Sequence, residues 1–98
     1  MKTLLVLNIR PELEEDLVDY LLAREGVAGF TSYHARGHGL VNEELSLAEQ
    51  VSGRRKRLQF EILMDEADVN LLIDGLADEV GRDIVFWQQV VSNAGRVD

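Results

Sequence analysis

The amino-acid sequence predicts an α+β domain over residues 1–98, and three observations lead to this fold class. Four segments have the apolar pattern of strands, and two have the pattern of amphipathic helices. They follow one another as strand, helix, strand, strand, helix, strand, which is the order of a ferredoxin-like βαββαβ sandwich. Two helices cover only one face of a four-stranded antiparallel sheet, yet the first and fourth strands are apolar on both faces. We therefore expect another copy of the chain to cover the second face.

The first half of the chain contains a strand, a helix and a second strand. Residues 3–9 form an apolar run that is typical of a buried strand. Pro11 fits the first turn of the helix, where its missing N–H costs nothing, and Gly26 is the expected end of the helix. The second strand is predicted to run from about Ala28 to His38.

The second half begins with an irregular segment and continues with a strand, a helix and a strand. Residues 40–55 show no strand alternation, and a connection of this length in a compact domain is usually functional or mobile. The third strand is predicted from Lys56 to Met64. Asp65 is the expected N-cap of the second helix, and Gly81 is its expected end. The fourth strand is predicted from Ile84 to Val91.

Composition argues against several classes of function. Asp and Glu number 18 against 10 Lys and Arg, and the resulting net charge of −8 would repel nucleic acid. The chain has no cysteine for a thiolate metal site, and no apolar run approaches the roughly 20 residues of a membrane span. No Ser-His-Asp set or metalloenzyme histidine motif can be argued, so we expect no enzyme. The N-terminal apolar stretch has no leader cleavage site, so the expected location is cytoplasmic.

Three stretches of the sequence resemble the P-II-like family of small bacterial regulators. GFTSYHARGHG at 29–39 resembles the family's second strand and the base of its T-loop, the long loop between strands two and three. Residues 57–81 resemble its third strand and second helix, and residues 84–96 resemble its fourth strand and tail. Within the superfamily the chain looks most like a short branch of uncharacterised proteins, some of them associated with heavy-metal efflux. It is also similar in size to the CutA-like divalent-ion tolerance proteins.

The resemblance implies a homotrimer with inward-facing sheets. Small effectors bind in clefts between its subunits, and residues 40–55 would contact a protein partner, for which a membrane transporter is one candidate. The connection Gly81–Asp83 is too short for the family's phosphate loop, which argues against a nucleotide effector. Residues 40–55 also lack the tyrosine that classical members uridylylate. The family thus predicts an oligomeric regulatory protein whose effector is unidentified.

The two histidines offer an alternative function, a divalent-metal site of CutA-like type. Neutral imidazole suits copper, nickel or zinc, which makes His34 and His38 the candidate ligands. Four residues of extended strand separate them by roughly 13 Å. One ion would therefore need a bend at Gly37 or a neighbouring subunit to reach both. Histidines at a surface or a subunit interface are the other interpretation.

A glycine-flanked basic stretch is the candidate effector site. Gly37 and Gly39 leave the backbone open to an anion, with Arg36 and His38 beside them. The same two glycines are equally typical of a strand that ends in a loop.

Charged residues at both ends of the irregular segment are the candidate partner contacts. Arg54 and Arg55 begin a run of four bases that would suit an acidic partner or a phosphate, and Glu43 and Glu44 lie in the same segment. The alternative is a solvated loop end in which these charges balance one another.

Adjacent aromatic residues in the fourth strand point to an interface. Phe86 and Trp87 face opposite sides of the strand, so we expect one in the core and the other between subunits, where aromatic residues are enriched.

Overall fold

The computed structural model of the chain describes residues 1–39 and 55–98 in full, together with the backbone of Arg54. The remainder of the predicted T-loop-like segment lies outside the described residues. The elements are β1 (Lys2–Ile9), a 3₁₀ turn (Pro11–Leu13), α1 (Glu14–Leu22), β2 (Val27–His38), β3 (Arg54–Asp65), a second 3₁₀ turn (Glu66–Asp68), α2 (Val69–Asp74), α3 (Leu76–Glu79) and β4 (Val85–Val90).

The described strands form one antiparallel sheet in the order β2-β3-β1-β4. In its middle, Leu5 of β1 lies opposite Ile62 of β3, and Val6 of β1 lies opposite Trp87 of β4. The predicted α+β, ferredoxin-like fold, a four-stranded sheet with helices on one face, is confirmed. None of the helices in the two described ranges is long and apolar enough to cross a membrane.

The core lies between the sheet and the helices, because alternate residues of β1 and β3 point to the same face. Leu5, Leu7 and Ile9 of β1 are fully buried there, as the apolar alternation predicts. Side chains from β3 and from the three described helices complete the core: Leu58, Phe60, Ile62 and Met64 from β3, and Leu17, Tyr20, Leu21, Val69, Leu72 and Leu76 from the helices. We call this the helix face of the sheet, and we call the opposite side, against which none of the described helices packs, its uncovered face.

The second helix is interrupted at Gly75, whereas the sequence predicts one helix as far as Gly81. The Tyr20 hydroxyl donates a hydrogen bond of 2.6 Å to the Leu72 carbonyl, an acceptor that a continuous helix would use for residue 76. A Cβ at Gly75 would collide with the same hydroxyl. Packing of α1 against this turn therefore explains both the break between α2 and α3 and the glycine at the break.

Both ends of this helical region follow from local chemistry. The Asp65 side chain accepts a hydrogen bond of 3.1 Å from the Ala67 backbone N–H, so its predicted N-cap role is confirmed. That bond and the nearby N-terminal ammonium group lower the pKa of the Asp65 carboxyl. At the other end, Gly81 has a φ of +154°, and a Cβ there would lie 2.9 Å from the Leu13 side chain. Glycine is therefore required where the chain turns towards β4.

Candidate functional site

The end of the β2–β3 pair that leads into residues 40–53 carries an unusual density of positive charge. Arg36 lies opposite Lys56, Gly37 opposite Arg55, and His38 opposite Arg54. Because successive strand residues point to opposite faces, the run of four bases in β3 is divided between the two sides of the sheet. Lys56 shares the helix face with Leu58, while Arg55 and Arg57 lie on the uncovered face.

A cavity of about 660 Å³ lies at this end of the sheet, mainly on its helix face. Its lining consists of Pro11, His34, Ala35, Arg36, Lys56 and Arg57. The side chains of His34, Arg36 and Lys56 are exposed to solvent. Arg36 and Lys56 are also direct cross-strand partners, an arrangement in which like charges repel. We call His34, Arg36 and Lys56 the helix-face cluster.

On the uncovered face, the arginines of β3 are buried against a carboxylate. Arg55 is 3% exposed and Arg57 is 1% exposed. One carboxylate oxygen, Oδ2 of Asp83, accepts hydrogen bonds from Nη2 of Arg55 and, at 3.1 Å, from Nη1 of Arg57. Nη2 of Arg57 also donates to the Asp83 backbone carbonyl at 3.0 Å, and Nε of Arg10 lies 4.0 Å from the carboxylate. We call Arg10, Arg55, Arg57 and Asp83 the uncovered-face cluster.

Burial and charge determine the ionisation of this cluster. Burial lowers the pKa of Arg57, although its hydrogen bond and ion pair with Asp83 act in the opposite direction. For Asp83, burial alone would raise the pKa, but hydrogen bonds from Arg55 and Arg57 outweigh it and hold the pKa below its usual value. Asp83 also has a φ of +63°, a left-handed conformation that aspartate tolerates better than most residues. The charged pairing therefore holds Asp83 in a backbone conformation that few residues could adopt.

Hydrogen bonds extend from Arg57 across three strands of the uncovered face. Nε of Arg57 donates to Oδ1 of Asn8 at 2.5 Å, and Nδ2 of Asn8 donates to Oε1 of Gln59 at 3.0 Å. Nε2 of Gln59 then donates to the Tyr33 hydroxyl at 3.0 Å, and that hydroxyl donates to Glu61 at 2.9 Å. The bond to Glu61 raises the pKa of the Tyr33 phenol. A continuous polar network thus joins the α3–β4 connection to the β2 edge of the sheet.

Comparison with known proteins identifies the family. A model described as a protein of unknown function, DUF3240, matches residues 1–98. The chain belongs to the DUF3240 family. No curated protein gives a significant match to this sequence.

Two solved structures share the fold of this DUF3240 protein. The crystal structure of a DUF3240 family protein from Shewanella baltica OS155 has a TM-score of 0.81 at 23% identity, and the match covers 99% of this chain and 97% of that chain. The periplasmic divalent cation tolerance protein CutA from Archaeoglobus fulgidus has a TM-score of 0.75 at 7% identity, covering 98% and 89%. Identities this low show a shared fold alone. The predicted CutA/P-II-like resemblance is confirmed at that level.

The candidate metal ligands of the DUF3240 protein both lie on β2. His34 is opposite Leu58 and His38 is opposite Arg54, and both imidazoles are exposed. Within residues 1–39 and 54–98, no three His, Cys, Asp or Glu side chains are close enough together to hold an ion. The metal site stays a prediction that would require a ligand from outside this set.

The structure separates the residues of the candidate anion site. Gly37 is a regular β2 residue opposite Arg55, and Gly39 follows the strand with a φ of +74°. Arg36 lies on the other face of β2 from Gly37, beside His34 and Lys56. The geometry therefore groups Arg36 with the helix-face cluster instead of with the two glycines, and His38 lies further along the same face.

The candidate partner contacts have different positions in the chain. Glu43 and Glu44 lie outside the described residues, and for Arg54 only the strand position opposite His38 is described. Arg55 is not at a solvated loop end, since its side chain is buried and bound to Asp83. The interpretation of the basic run as one exposed patch is corrected on this point, because strand alternation turns Arg55 and Arg57 towards the uncovered-face cluster.

The aromatic residues of β4 also differ from expectation. Phe86 is 50% exposed and Trp87 is 39% exposed, so the prediction that one of them lies in the core is wrong for the single chain. β4 is an edge of the described sheet and pairs only with β1 among the described strands, which leaves both of its faces lightly covered. The uncovered face thus has an apolar side formed by Val85 and Trp87, next to the polar network.

Sequence reasoning missed Asp83 and Asn8, the two residues that bind Arg57. A signal for Asp83 was available, because two arginines two residues apart in a strand share one face and require a nearby acid if that face is buried. Asn8 belongs to a strand whose sequence is otherwise apolar, and the role of its amide becomes visible only beside Arg57.

Proposed function

We propose that this DUF3240 protein is a homotrimeric regulatory protein of P-II-like type. It binds a small effector in a cleft between subunits and contacts a protein partner through residues 40–55. The observation that carries this proposal is the uncovered sheet face, where Val85 (46% exposed), Trp87 (39%) and Leu63 (38%) present apolar surface in a chain of net charge −8. Aromatic and aliphatic side chains exposed together on one face are typical of an association surface.

A second copy of the chain is the occupant that best fits this face. The apolar side chains of β1 and β4 lie beside a network of groups that already satisfy one another, such as Tyr33 with Glu61. A protein surface that packs on this face therefore needs apolar side chains and few new hydrogen-bonding groups. The same face of another copy of the chain has this composition. We choose cyclic symmetry with three copies because the P-II-like resemblance implies a trimer and the fold is shared.

The helix-face cluster is the candidate effector site, and because β2 is an edge strand of the described sheet, a neighbouring subunit can border the cluster and complete the cleft. It lies where β2 and β3 lead into residues 40–53, so a molecule bound there can influence how that segment leaves the sheet. The α3–β4 connection is short and contains Asp83, which binds arginines instead of offering a phosphate loop. The effector is accordingly a small molecule other than a nucleotide.

Residues 40–55 supply the partner contact in this proposal. Glu43, Glu44 and Arg54 give the segment charges of both signs, which favour orientation of a partner. A membrane transporter remains one candidate partner. A cytoplasmic location, an association with metal efflux and the lack of enzymatic activity stay predictions.

Light scattering of the purified protein tests the assembly. A trimer has close to three times the mass of the 11.0 kDa chain. Trp87→Glu, on the uncovered face, is expected to lower the mass towards that of one chain. Leu71→Glu is the matched control, because Leu71 is 77% exposed on the helix side and its substitution should leave the mass unchanged. A monomeric wild-type protein at micromolar concentration would contradict the proposal.

The second candidate function is divalent-metal binding of CutA-like type. The shared fold with a protein named for divalent cation tolerance favours it, as does the position of His34 and His38 on one face of β2. Elemental analysis after incubation with zinc or copper and removal of excess metal is the test. Retention of about one ion per subunit or per trimer, lost in His34→Ala and His38→Ala, would support metal binding. Absence of retained metal in the wild type would reject it.

A further inference from the structure

We propose that the helix-face cluster binds an oxyanion, such as a phosphate group, at Arg36 and beside Lys56. This inference rests on the proposed function, because it names the chemical class of the effector. It also assigns His34 and Lys56 to the site, which the glycine-flanked stretch alone did not predict.

The first argument is electrostatic. Arg36 and Lys56 are direct cross-strand partners, and their side chains leave the same face of the sheet next to His34. Like charges at directly opposed positions destabilise an antiparallel pair. An anion bound to Arg36 at this position offsets that repulsion, so the pairing favours an occupied site.

The second argument comes from the opposite side of the same strand. Arg55 and Arg57 flank Lys56 in β3, and there the chain supplies its own carboxylate, Asp83. On the helix face, no carboxylate of the described residues forms an ion pair with Arg36. The chain has 18 acidic residues, so a shortage of carboxylates does not explain the difference. Asp83 thus neutralises the buried arginines, whereas Arg36 stays exposed. This pattern is typical of a ligand site that lies beside a structural cluster.

The third argument concerns the chemical class. A guanidinium group presents a planar fork that matches two oxygens of phosphate or carboxylate, and an ammonium group adds a compact charge. The imidazole of His34 adds an N–H donor. The cavity of about 660 Å³ lies within the usual range for small-molecule sites.

An anion at this position also connects β2 with β3. Arg36 belongs to β2 and Lys56 to β3, the two strands that lead into residues 40–53 from either side. A shared ligand fixes the separation of these strand ends. In this way an oxyanion can control the segment that the proposed function assigns to the partner.

Isothermal titration calorimetry with inorganic phosphate, at constant ionic strength in chloride buffer, tests the site. Arg36→Ala is expected to weaken phosphate binding about tenfold or more, since one charge-assisted pair of hydrogen bonds is lost. Lys56→Ala is expected to weaken it to a smaller extent. Arg96→Ala is the matched control, because Arg96 is 88% exposed in the C-terminal tail and pairs with Asp98. A second titration with glycerol 3-phosphate distinguishes a phosphate ester from the free ion.

The outcomes separate this inference from the proposed function. Phosphate or ester binding that Arg36→Ala loses and Arg96→Ala retains supports the site. Equal binding by Arg36→Ala and the wild type, or no binding of either compound by the wild type, overturns it. In the latter case, a trimer in light scattering would leave the proposed assembly standing. Conversely, a monomer that binds phosphate through Arg36 would overturn the proposed function and retain the oxyanion site.

Discussion

Two clusters of positive charge lie back to back at one end of the sheet, and they differ in how deeply they are buried. In the uncovered-face cluster, Arg55 and Arg57 are almost completely buried and share the carboxylate of Asp83. In the helix-face cluster, Arg36 and Lys56 are exposed and oppose each other across the β2–β3 pair. A buried charge must be compensated within the chain, whereas an exposed charge such as that of Arg36 is solvated and accessible to a ligand. Neighbouring residues of one strand can therefore have structural and binding roles.

The largest expected effect comes from removing the carboxylate of the uncovered-face cluster. Asp83→Asn keeps a side chain that tolerates the left-handed backbone but leaves Arg55 and Arg57 without its charge. Loss of one partner from a buried ion pair costs about 3–5 kcal/mol, and we expect a decrease of this size in the free energy of unfolding. Urea unfolding followed by circular dichroism measures it. Asp78→Asn, at an exposed helical position, is the control and should change stability by less than about 0.5 kcal/mol. Equal stability of the two variants would contradict a structural role for Asp83.

The same carboxylate makes stability depend on pH. Because the folded chain lowers the pKa of Asp83, its contribution is fully present above the unfolded pKa of about 3.9 and is lost as the pH falls through the lower, folded value. The stability difference between the wild type and Asp83→Asn should therefore be constant from pH 7 to pH 5 and shrink below about pH 4. Asp65 has a lowered pKa in both proteins, so its effect cancels. A difference that stayed constant into strong acid would show that Asp83 is not ionised in the cluster.

An intermediate effect is expected from the polar network. Asn8→Ala removes the acceptor for Nε of Arg57 and the donor to Gln59. A hydrogen bond to a charged group contributes about 1.5–3 kcal/mol, so the decrease in stability should fall in this range, below that of Asp83→Asn. Asn93→Ala, in the exposed tail, is the control in the same urea experiment. No difference between the two asparagine variants would mean that Arg57 is held by Asp83 alone.

The smallest effect, of opposite sign, is expected on the helix face. Arg36→Ala removes a like charge opposite Lys56, so without phosphate it should increase stability slightly, by less than about 1 kcal/mol. Added phosphate should stabilise the wild type more than it stabilises Arg36→Ala. A marked loss of stability in Arg36→Ala without any anion would place Arg36 among the structural residues and remove the difference between the clusters.

Local sequence patterns were sufficient to predict the fold. The alternation in β1 and β3 and the helical spacing around Leu17 and Leu72 depend on neighbours a few residues away, and the structure confirms both. The break at Gly75 could not be predicted in this way, because it depends on the Tyr20 hydroxyl, which is distant in sequence.

The candidate site was only partly predictable for the same physical reason. Arg36 and His34 are conspicuous as charged or polar residues of β2. The partnership of Arg57 with Asp83 joins residues 26 positions apart, and that of Arg57 with Asn8 joins residues 49 apart. Such pairs depend on the strand register, which composition and periodicity do not specify. Similarly, the exposure of Phe86 and Trp87 depends on β4 being an edge strand.

The difference between the two clusters is tested most directly by nuclear magnetic resonance of the arginine Nε–H groups during a phosphate titration. The signals can be assigned with Arg36→Lys and Arg57→Lys, which remove one guanidinium group each. Our account predicts that the Arg36 signal moves in a saturable manner as phosphate is added, because this group faces the cavity. The Arg57 signal should stay in place, because its donors are already bound to Asp83 and Asn8. A saturable shift of Arg57 with no change at Arg36 would contradict the account.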